Sequence, residues 1–188
     1  MPPARSDRRL TYADFQLFPD DGRRHEIIDG RHYVIPSPST RHWRLVARVH
    51  TAFLDHLREH PDSGAVFLAP FDVVFTPFDI VKPDLLFVTA DQRDIATDAH
   101  VRGAPAIVIE VVSQSTRRVD ETIKYALFER SGVREYWLVD PALDVVKVYR
   151  RSSSASFSDA IELTPERGDH VTTPLLPGFT ASLVAVFC

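Results

Sequence analysis

The sequence predicts an α/β fold in which a mixed β-sheet is flanked by helices and carries a β-hairpin at its N-terminal and at its C-terminal end. Three observations predict this class. Helix-like and strand-like segments interleave along the chain. Turn signals join neighbouring strand-like segments near both ends. The 188 residues, 44% of them hydrophobic, suffice for one core, and no shift in composition marks a domain boundary.

The N-terminal segments combine a flexible leader, a short helix and a hairpin. Residues 1–10 are polar, and we expect them to form the leader of a single domain that covers residues 11–188. A short helix is expected over residues 11–18, because Thr11 can cap its start and a proline follows its end. Residues 25–35 (HEIIDGRHYVI) predict a hairpin, since the central Asp-Gly pair favours a turn with two positive φ angles.

A long helix is expected from Ser39 or Thr40 to about His60. Apolar residues recur on one of its faces, namely Leu45, Val49, Phe53 and Leu57. Basic residues lie mostly on other faces, among them Arg41, Arg44 and Arg48. The helix should therefore pack through one side and present a basic side.

The rest of the chain alternates strand-like runs with one further helix. The strand-like runs cover residues 65–75, 84–89 and 106–112. A helix is expected over residues 117–131, with Gly132 at its C-terminal cap. A second hairpin should join the segments 135–139 and 145–150, and strand-like pieces near Ile161 and Val171 precede an apolar end at 183–187.

Composition excludes several classes of function. Twenty-two basic against twenty-six acidic residues give a formal charge of −4, which argues against attachment to nucleic acid or membrane through bulk positive charge alone. The seven glycines are isolated, so neither a GxGxxG nor a Walker-type loop can be formed, and no nucleotide cofactor of those kinds is expected. Cys188 is the only cysteine, and no apolar run approaches the length of a membrane span. We expect a complete cytoplasmic protein.

Two carboxylates are notable because they belong to apolar strand-like runs. Glu110 lies within AIVIEVV, where an isolated buried charge would cost several kcal/mol unless it pairs with an arginine, binds a cation or faces water. Asp84 begins DLLFVT after a proline, a position that more often holds a turn residue than a ligand. Together, however, the two side chains offer the oxygen ligands that Mg²⁺ prefers.

Three further side chains could complete such a site. Lys124 is one of only three lysines and follows Asp120 by one helical turn, although a plain surface pair is the alternative. Glu26 lies in an apolar segment and either faces solvent or points into the same cleft. His42 lies on the inward side of the long helix near its start, where a buried histidine without a chemical role is the simpler interpretation.

Seven short motifs occur in an order that is specific as a set. They are HEIIDG (25–30), PSPSTRH (36–42), APFDVVF (69–75), VKPDLLFV (81–88), GAPAIVIEVVSQST (103–116), Asp120 with Lys124, and GVREYWLVDP (132–141). In this order they resemble the Uma-two family, a bacterial family assigned to the restriction endonucleases within the PD-(D/E)XK nuclease superfamily. The resemblance covers about residues 11–187.

The resemblance implies a restriction-endonuclease-like core and Mg²⁺-dependent hydrolysis of phosphodiester bonds. Asp84 matches the Asp of the PD motif and Glu110 the acid of the (D/E)XK motif. Both would hold the metal, with the backbone carbonyl of Val111 as a further ligand. Val112 replaces the motif's lysine, and the resemblance points instead to Lys124 in the next helix as the group that positions the attacking water and stabilises negative charge.

The resemblance also covers two of the other candidates. Glu26 matches an additional acid that would bind metal or water, and the resemblance therefore implies a catalytic role for it. His42 matches the family's histidine at a helix start, and its role stays open.

The leading hypothesis is a Mg²⁺-dependent endonuclease that acts on DNA, with Mn²⁺ as a substitute metal. A homodimer is expected, because cutting both strands of a duplex suits a two-fold symmetric enzyme. Its local DNA contacts would come from Arg41, Arg44 and Arg48. The alternatives are a catalytically inactive nuclease-fold domain that binds nucleic acid or protein, and a hydrolase of RNA or of a nucleotide-like small molecule.

Overall fold

The strands of the fold form two main sheets and one short additional pair. The computed structural model describes residues 8–153 and 155–188. Its strands are β1 (Arg24–Ile28), β2 (Arg31–Ile35), β3 (Gly64–Leu68), β4 (Asp72–Thr76), β5 (Asp79–Val81), β6 (Leu85–Thr89), β7 (His100–Arg102), β8 (Ile107–Val111), β9 (Glu135–Asp140), β10 (Val145–Arg150), β11 (Ile161–Leu163), β12 (His170–Thr172) and β13 (Thr180–Ser182). The smaller main sheet has the order β2-β1-β5-β4-β7, the larger has the order β11-β10-β9-β8-β6-β3, and β12 pairs with β13. Both main sheets are mixed, since β4 and β8 run parallel to β7 and β9 respectively.

Helices flank these sheets. The α-helices are α1 (Tyr12–Phe15), α2 (Thr40–Glu59), α3 (Tyr125–Ser131) and α4 (Leu183–Phe187), and a π-helical turn, Val119–Lys124, leads into α3. Short 3₁₀ helices cover Pro61–Ser63 and Ala90–Ile95. No helix formed by residues 8–153 and 155–188 is both long enough and apolar enough to cross a membrane. The predicted α/β class, with mixed sheets and flanking helices, is confirmed.

The predicted turn and capping signals are confirmed as well. Asp29 and Gly30 have φ angles of 53° and 73° and join β1 to β2. At the start of α2 the Ser39 side chain accepts a hydrogen bond from the backbone N–H of His42. The second hairpin joins β9 to β10, and it forms part of the larger sheet because β9 also pairs with β8.

The strand-like run over residues 65–75 is not one element, so that prediction is wrong. β3 joins the larger sheet, whereas β4 joins the smaller sheet. Pro70 lies between them and cannot donate to a ladder, which interrupts the strand. The neighbouring Ala69 instead donates its backbone N–H to the carbonyl of Asp84 at 3.1 Å. The chain thus passes from the larger sheet to the smaller one at residues 69–71, and it returns to the larger sheet between β5 and β6, at the PD motif.

Both faces of the larger sheet are buried. Alternation along β8 turns Ile107, Ile109 and Val111 toward the core that includes α2, and turns Val108 toward a second core that includes α3. Glu110 shares the face of Val108. The unusual carboxylate of β8 is therefore located on the side of the sheet that packs against α3.

The predicted leader falls mainly on residues 1–7, which lie outside the described residues. Residues 8–10 are already attached to the domain. The backbone N–H of Leu10 donates to the carbonyl of Gly30 at 2.8 Å. The Leu10 side chain packs against the apolar cluster that contains Phe15.

Phe53 connects α2 to the larger sheet, so its truncation should destabilise the fold. Its buried ring lies with its centroid 4.6 Å from that of Phe179 and 5.7 Å from that of Trp137. Phe53→Ala should lower the free energy of unfolding, measured by urea denaturation, by about 3–5 kcal/mol. Leu54 is the adjacent control, and because 38% of it is exposed, Leu54→Ala should cost less than about 1 kcal/mol. Equal losses in the two variants would contradict this packing.

Candidate active site

Asp84 and Glu110 face each other across two neighbouring strands. Leu85 pairs with Ile109 in the antiparallel register of β6 and β8, so the preceding Asp84 lies opposite Glu110. Both carboxylates are buried, with 3% of each residue exposed. Two like charges on residues that lie opposite each other on neighbouring strands repel, and the surrounding residues must compensate for that repulsion.

Asp84 is compensated by three groups. Arg24 donates from Nη1 to Oδ1 at 2.7 Å, and the backbone N–H of Val111 donates to Oδ2 at 2.9 Å. His42 Nε2 lies 3.2 Å from Oδ1. Burial alone would raise the pKa of Asp84, but His42 and Arg24 outweigh it and lower the pKa to about 2. Asp84 is therefore a carboxylate at neutral pH.

Glu110 is compensated by Lys124. The Lys124 ammonium donates to Glu110 Oε1 at 2.8 Å and to Glu26 Oε1 at 3.0 Å, and it lies 3.9 Å from Asp120 Oδ1. Burial of the amine lowers the pKa of Lys124, but the three carboxylates outweigh this effect and raise the pKa above its usual value. Lys124 therefore stays protonated and can donate hydrogen bonds, but it cannot act as a general base.

The π-helical turn explains how Lys124 reaches the site. A π-helical turn is wider than an α-helical one and is often found at functional sites. Asp120 and Lys124 lie four residues apart within it, and both are buried, with 3% and 2% of the residue exposed. The interpretation of these residues as an exposed surface pair is therefore wrong.

Glu26 supports Lys124 from the smaller sheet. It lies on β1 and is fully buried, and its Oε1 also accepts the backbone N–H of Lys82 at 2.9 Å. Its Oε2 has no hydrogen-bond partner among the described residues. Glu26 is not among the described residues that line the cavity of the site, so it points toward the same cluster but lies behind Lys124.

A cavity of about 480 Å³ opens above the carboxylates. Asp84, Glu110, Asp120, Lys124, Arg24 and His42 line its polar part. Two loops, covering residues 36–39 and 113–116, form the wall of the cavity and supply hydroxyl groups. The strands, α2 and the π-helical turn thus deliver their polar side chains to one accessible space.

The charges of the site suit a divalent cation. Four carboxylates (Asp84, Glu110, Glu26 and Asp120) surround two permanent cations (Arg24 and Lys124), which leaves an excess of two negative charges when all four are ionised. Burial raises the pKa of Asp120 to about 6, and burial also raises the pKa of Glu110 well above its usual range although Lys124 opposes it. Oxygen ligands with excess negative charge fit Mg²⁺ or Mn²⁺.

The carboxylates are not arranged as a preassembled metal cluster. Within residues 8–153 and 155–188, no three acidic, histidine or cysteine side chains converge in a metal-binding arrangement. Arg24 and Lys124 instead occupy carboxylate oxygens. The donor chemistry fits a hard cation, and an ion that binds to Asp84 has to compete with an internal cation.

Comparisons with known proteins identify the family and the fold of this chain. A sequence model described as "Uma2: Putative restriction endonuclease" matches residues 12–184. The chain belongs to the Uma2 family. Among known proteins, the "uncharacterized protein slr1290" of Synechocystis is 26% identical over 151 residues, which cover 74% of this chain and 76% of that protein. A crystal structure of "a putative nuclease belonging to DUF820" from Anabaena variabilis has a TM-score of 0.78 at 18% identity, and the match covers 95% of this chain and 97% of that one.

These findings confirm the resemblance to the Uma2 family and the restriction-endonuclease-like fold. The structural match, at its low sequence identity, concerns the fold. The roles of the individual site residues stay predictions, and so does the backbone carbonyl of Val111 as a metal ligand.

Sequence reasoning about this Uma2 protein missed Arg24 and undervalued Asp120. Arg24 precedes Glu26 by two positions on β1, so strand alternation places both on one face. That spacing was the signal that could have identified it. In the sequence, Asp120 could be recognised only as a residue one helical turn before Lys124. Residue spacing does not reveal that both side chains are buried in a π-helical turn.

The three predicted DNA-binding arginines do not line the cavity. Arg41 donates to Asp144 at 2.5 Å, at the turn between β9 and β10. Arg48 donates to the carbonyls of Val186 and Cys188 at the C-terminal end. Arg44 is exposed. The structure thus assigns Arg48 a contact within the fold and leaves the DNA-binding role of the three arginines a prediction.

Lys124 neutralises two buried carboxylates, so its removal should be strongly destabilising. Lys124→Met would leave Glu26 and Glu110 buried without their counter-charge. We expect the free energy of unfolding at pH 7, measured with urea, to fall by about 3–5 kcal/mol.

Two comparisons control this experiment. Lys147 lies 3.6 Å from Glu162 near the surface, and Lys147→Met should cost no more than about 1 kcal/mol. In the Lys124→Met background, Glu110→Gln should recover part of the loss, because it removes one uncompensated charge. Strictly additive losses would show that the two side chains do not interact.

Proposed function

We propose that this protein is a Mg²⁺-dependent endonuclease that hydrolyses the phosphodiester bonds of DNA. One observation carries the proposal: Asp84, directly before β6, lies opposite Glu110 on the neighbouring β8 in an accessible cavity, with the Lys124 ammonium on Glu110. Membership of the Uma2 family supports a nuclease-like function.

Asp84 and Glu110 would hold the metal ion, and the backbone carbonyl of Val111 is a further candidate ligand. Mn²⁺ would substitute for Mg²⁺, because both ions accept carboxylate oxygens. The bound ion would lower the pKa of a water molecule and neutralise charge on a phosphoryl oxygen. Its charge also offsets the excess of carboxylates in the site.

Lys124 would act on the phosphate as a hydrogen-bond donor. An ammonium has three N–H donors, and Glu26 and Glu110 accept two of them. The Asp120 carboxylate, at 3.9 Å, is beyond hydrogen-bond distance, so the third donor would serve a water molecule or a phosphoryl oxygen. Because a fixed positive charge stabilises negative charge that develops in the transition state, this position suits the role of the displaced lysine.

A local basic surface can compensate for the acidic net charge of the chain. Arg41 and Arg44 lie in the first two turns of α2 and are exposed, so they can contact a DNA backbone near the cavity. A symmetric homodimer would bring two such sites to the two strands of a duplex.

A second candidate is a nuclease-fold domain that binds nucleic acid or protein without cutting. The observation that favours it is that both oxygens of Asp84 already accept hydrogen bonds. Oδ1 accepts one from Arg24, and Oδ2 accepts one from the backbone N–H of Val111. An inactive domain could keep such a network for stability alone. Metal binding distinguishes the two candidates.

Metal-dependent cutting is the first test of the proposal. Supercoiled plasmid and linear DNA should be cut with Mg²⁺ or Mn²⁺ and stay intact with EDTA, as seen on agarose gels. Asp84→Asn and Glu110→Gln should each slow cutting about a hundredfold or more, because a metal ligand supplies several kcal/mol of transition-state stabilisation.

Asp62→Asn is the matched control, since its carboxylate is fully exposed and lies outside the cavity, and it should cut at the normal rate. An RNA substrate of the same sequence separates DNA from RNA hydrolysis. Cutting that survives both Asp84→Asn and Glu110→Gln would mean that another site, or a contaminant, is responsible.

Metal binding should also stabilise the folded protein. A ligand at one hundred times its Kd adds about 2.7 kcal/mol, which for a chain of this size raises Tm by several degrees. We expect this rise with Mn²⁺ in the wild type and a smaller one in Glu110→Gln, measured by differential scanning fluorimetry. An unchanged wild-type Tm at millimolar Mn²⁺ would favour the inactive binding domain.

A further inference from the structure

Arg24 is the internal cation that contacts Asp84. Its side chain is 21% exposed and lines the cavity, and it reaches Asp84 from β1 of the smaller sheet. The contact is a single one, from Nη1 to Oδ1 at 2.7 Å. Arg24 and the proposed metal ion therefore share one ligand atom.

The guanidinium of Arg24 is incompletely used. It offers five N–H donors, and in the described part of the chain only Nη1 makes hydrogen bonds, to Asp84 and to the carbonyl of Lys82 at 3.5 Å. Nε is buried and has no partner among the described residues. A buried donor without a partner is costly, so this arginine is poised to accept a further ligand.

A phosphate group matches the donors that are left over. The planar fork of arginine binds two oxygens of a phosphate at once. Asp84 does not satisfy that fork, since the guanidinium contacts only its Oδ1, while Oδ2 accepts the N–H of Val111. An anionic ligand in the cavity with two free oxygens can.

Competition at Asp84 connects this fork to metal binding. Oδ2 accepts a hydrogen bond from the backbone of β8, whereas Oδ1 is contacted only by side chains among the described residues, Arg24 and His42. Because side chains can move away more readily than the backbone of a central strand, Oδ1 is the oxygen that we assign to a metal ion. A divalent ion at Oδ1 would repel the guanidinium that now occupies this atom. Arg24 would then leave Asp84 while its side chain stays in the cavity.

Building on the proposed function, we propose that Arg24 is a phosphate-binding residue that is held on Asp84 until a divalent ion takes its place. Metal binding thereby prepares the site for nucleic acid. When the ion binds to the carboxylates, Arg24 is released from Asp84 and can bind the substrate phosphate. In the absence of metal, the arginine neutralises Asp84 and keeps the acidic site stable.

The first measurement is the affinity for Mn²⁺ without nucleic acid, by titration with electron paramagnetic resonance. Arg24→Gln removes the competing cation, so it should bind Mn²⁺ about tenfold more tightly than the wild type, equivalent to about 1.4 kcal/mol. Arg23→Gln is the matched control, because the Arg23 side chain is 67% exposed and Asp21 is its one ion-pair partner within residues 8–153 and 155–188. It should leave the affinity for Mn²⁺ unchanged.

The second measurement is the affinity for a fluorescein-labelled DNA duplex, by anisotropy, in Ca²⁺ and in EDTA over a series of salt concentrations. Ca²⁺ should tighten binding by the wild type, and Arg24→Gln should lose most of this gain. In Ca²⁺ the slope of log K against log salt should fall by about one for this variant, since one phosphate contact is lost. Arg24→Lys keeps the positive charge but not the planar fork. It should therefore keep the salt slope of the wild type and lose part of the tighter DNA binding in Ca²⁺. This variant replaces Arg24→Gln in the experiment if Arg24→Gln does not fold.

The outcomes separate this inference from the proposed function. A wild type that binds no Mn²⁺ would overturn the proposed metal-dependent activity. A wild type that binds Mn²⁺ normally, together with an Arg24→Gln variant that has the same Mn²⁺ affinity and the same salt slope, would overturn the role of Arg24 alone.

Discussion

The ammonium of Lys124 connects the main parts of the fold. It comes from the π-helical turn before α3 and donates to Glu26 on the smaller sheet and to Glu110 on the larger sheet. All three side chains are buried, so none can exchange its partner for water without a large cost in free energy. Lys124 therefore joins the two sheets at the site and, together with the contact of Arg24 on β1 with Asp84, fixes the position of the site carboxylates.

The same charge balance links stability to the proposed metal binding. The internal cations Arg24 and Lys124 neutralise part of the acidic cluster, and two negative charges remain in excess when all four carboxylates are ionised. A network without this excess would avoid the repulsion between carboxylates, but it would attract a divalent cation less strongly. Functional sites commonly retain such unfavourable features, which the remainder of the fold compensates. Here the buried cores on both faces of the larger sheet provide that compensation.

Local chemistry explains which parts of the structure the sequence could predict. The Asp29-Gly30 turn and the Ser39 cap depend on neighbouring residues alone, and both were found where they were expected. Asp84 and Glu110 were recognisable because a carboxylate in an apolar strand needs a reason. The division of residues 65–75 between two sheets depends on distant pairing partners, which periodicity does not encode. The inward turn of Asp120 depends on a π-helical turn, and the contact of Arg24 with Asp84 joins residues 60 positions apart.

An anomalous difference map from a crystal soaked in Mn²⁺ shows whether a metal ion binds to these carboxylates and displaces Arg24, because it locates the ion and its ligands at once. We expect a peak between the carboxylates of Asp84 and Glu110, with Lys124 still on Glu110 and with the Arg24 guanidinium displaced from Asp84. A soaked crystal with no peak at this position, and with Arg24 still bound to Asp84, would contradict this expectation. In that case the buried charge network would serve the stability of the fold alone.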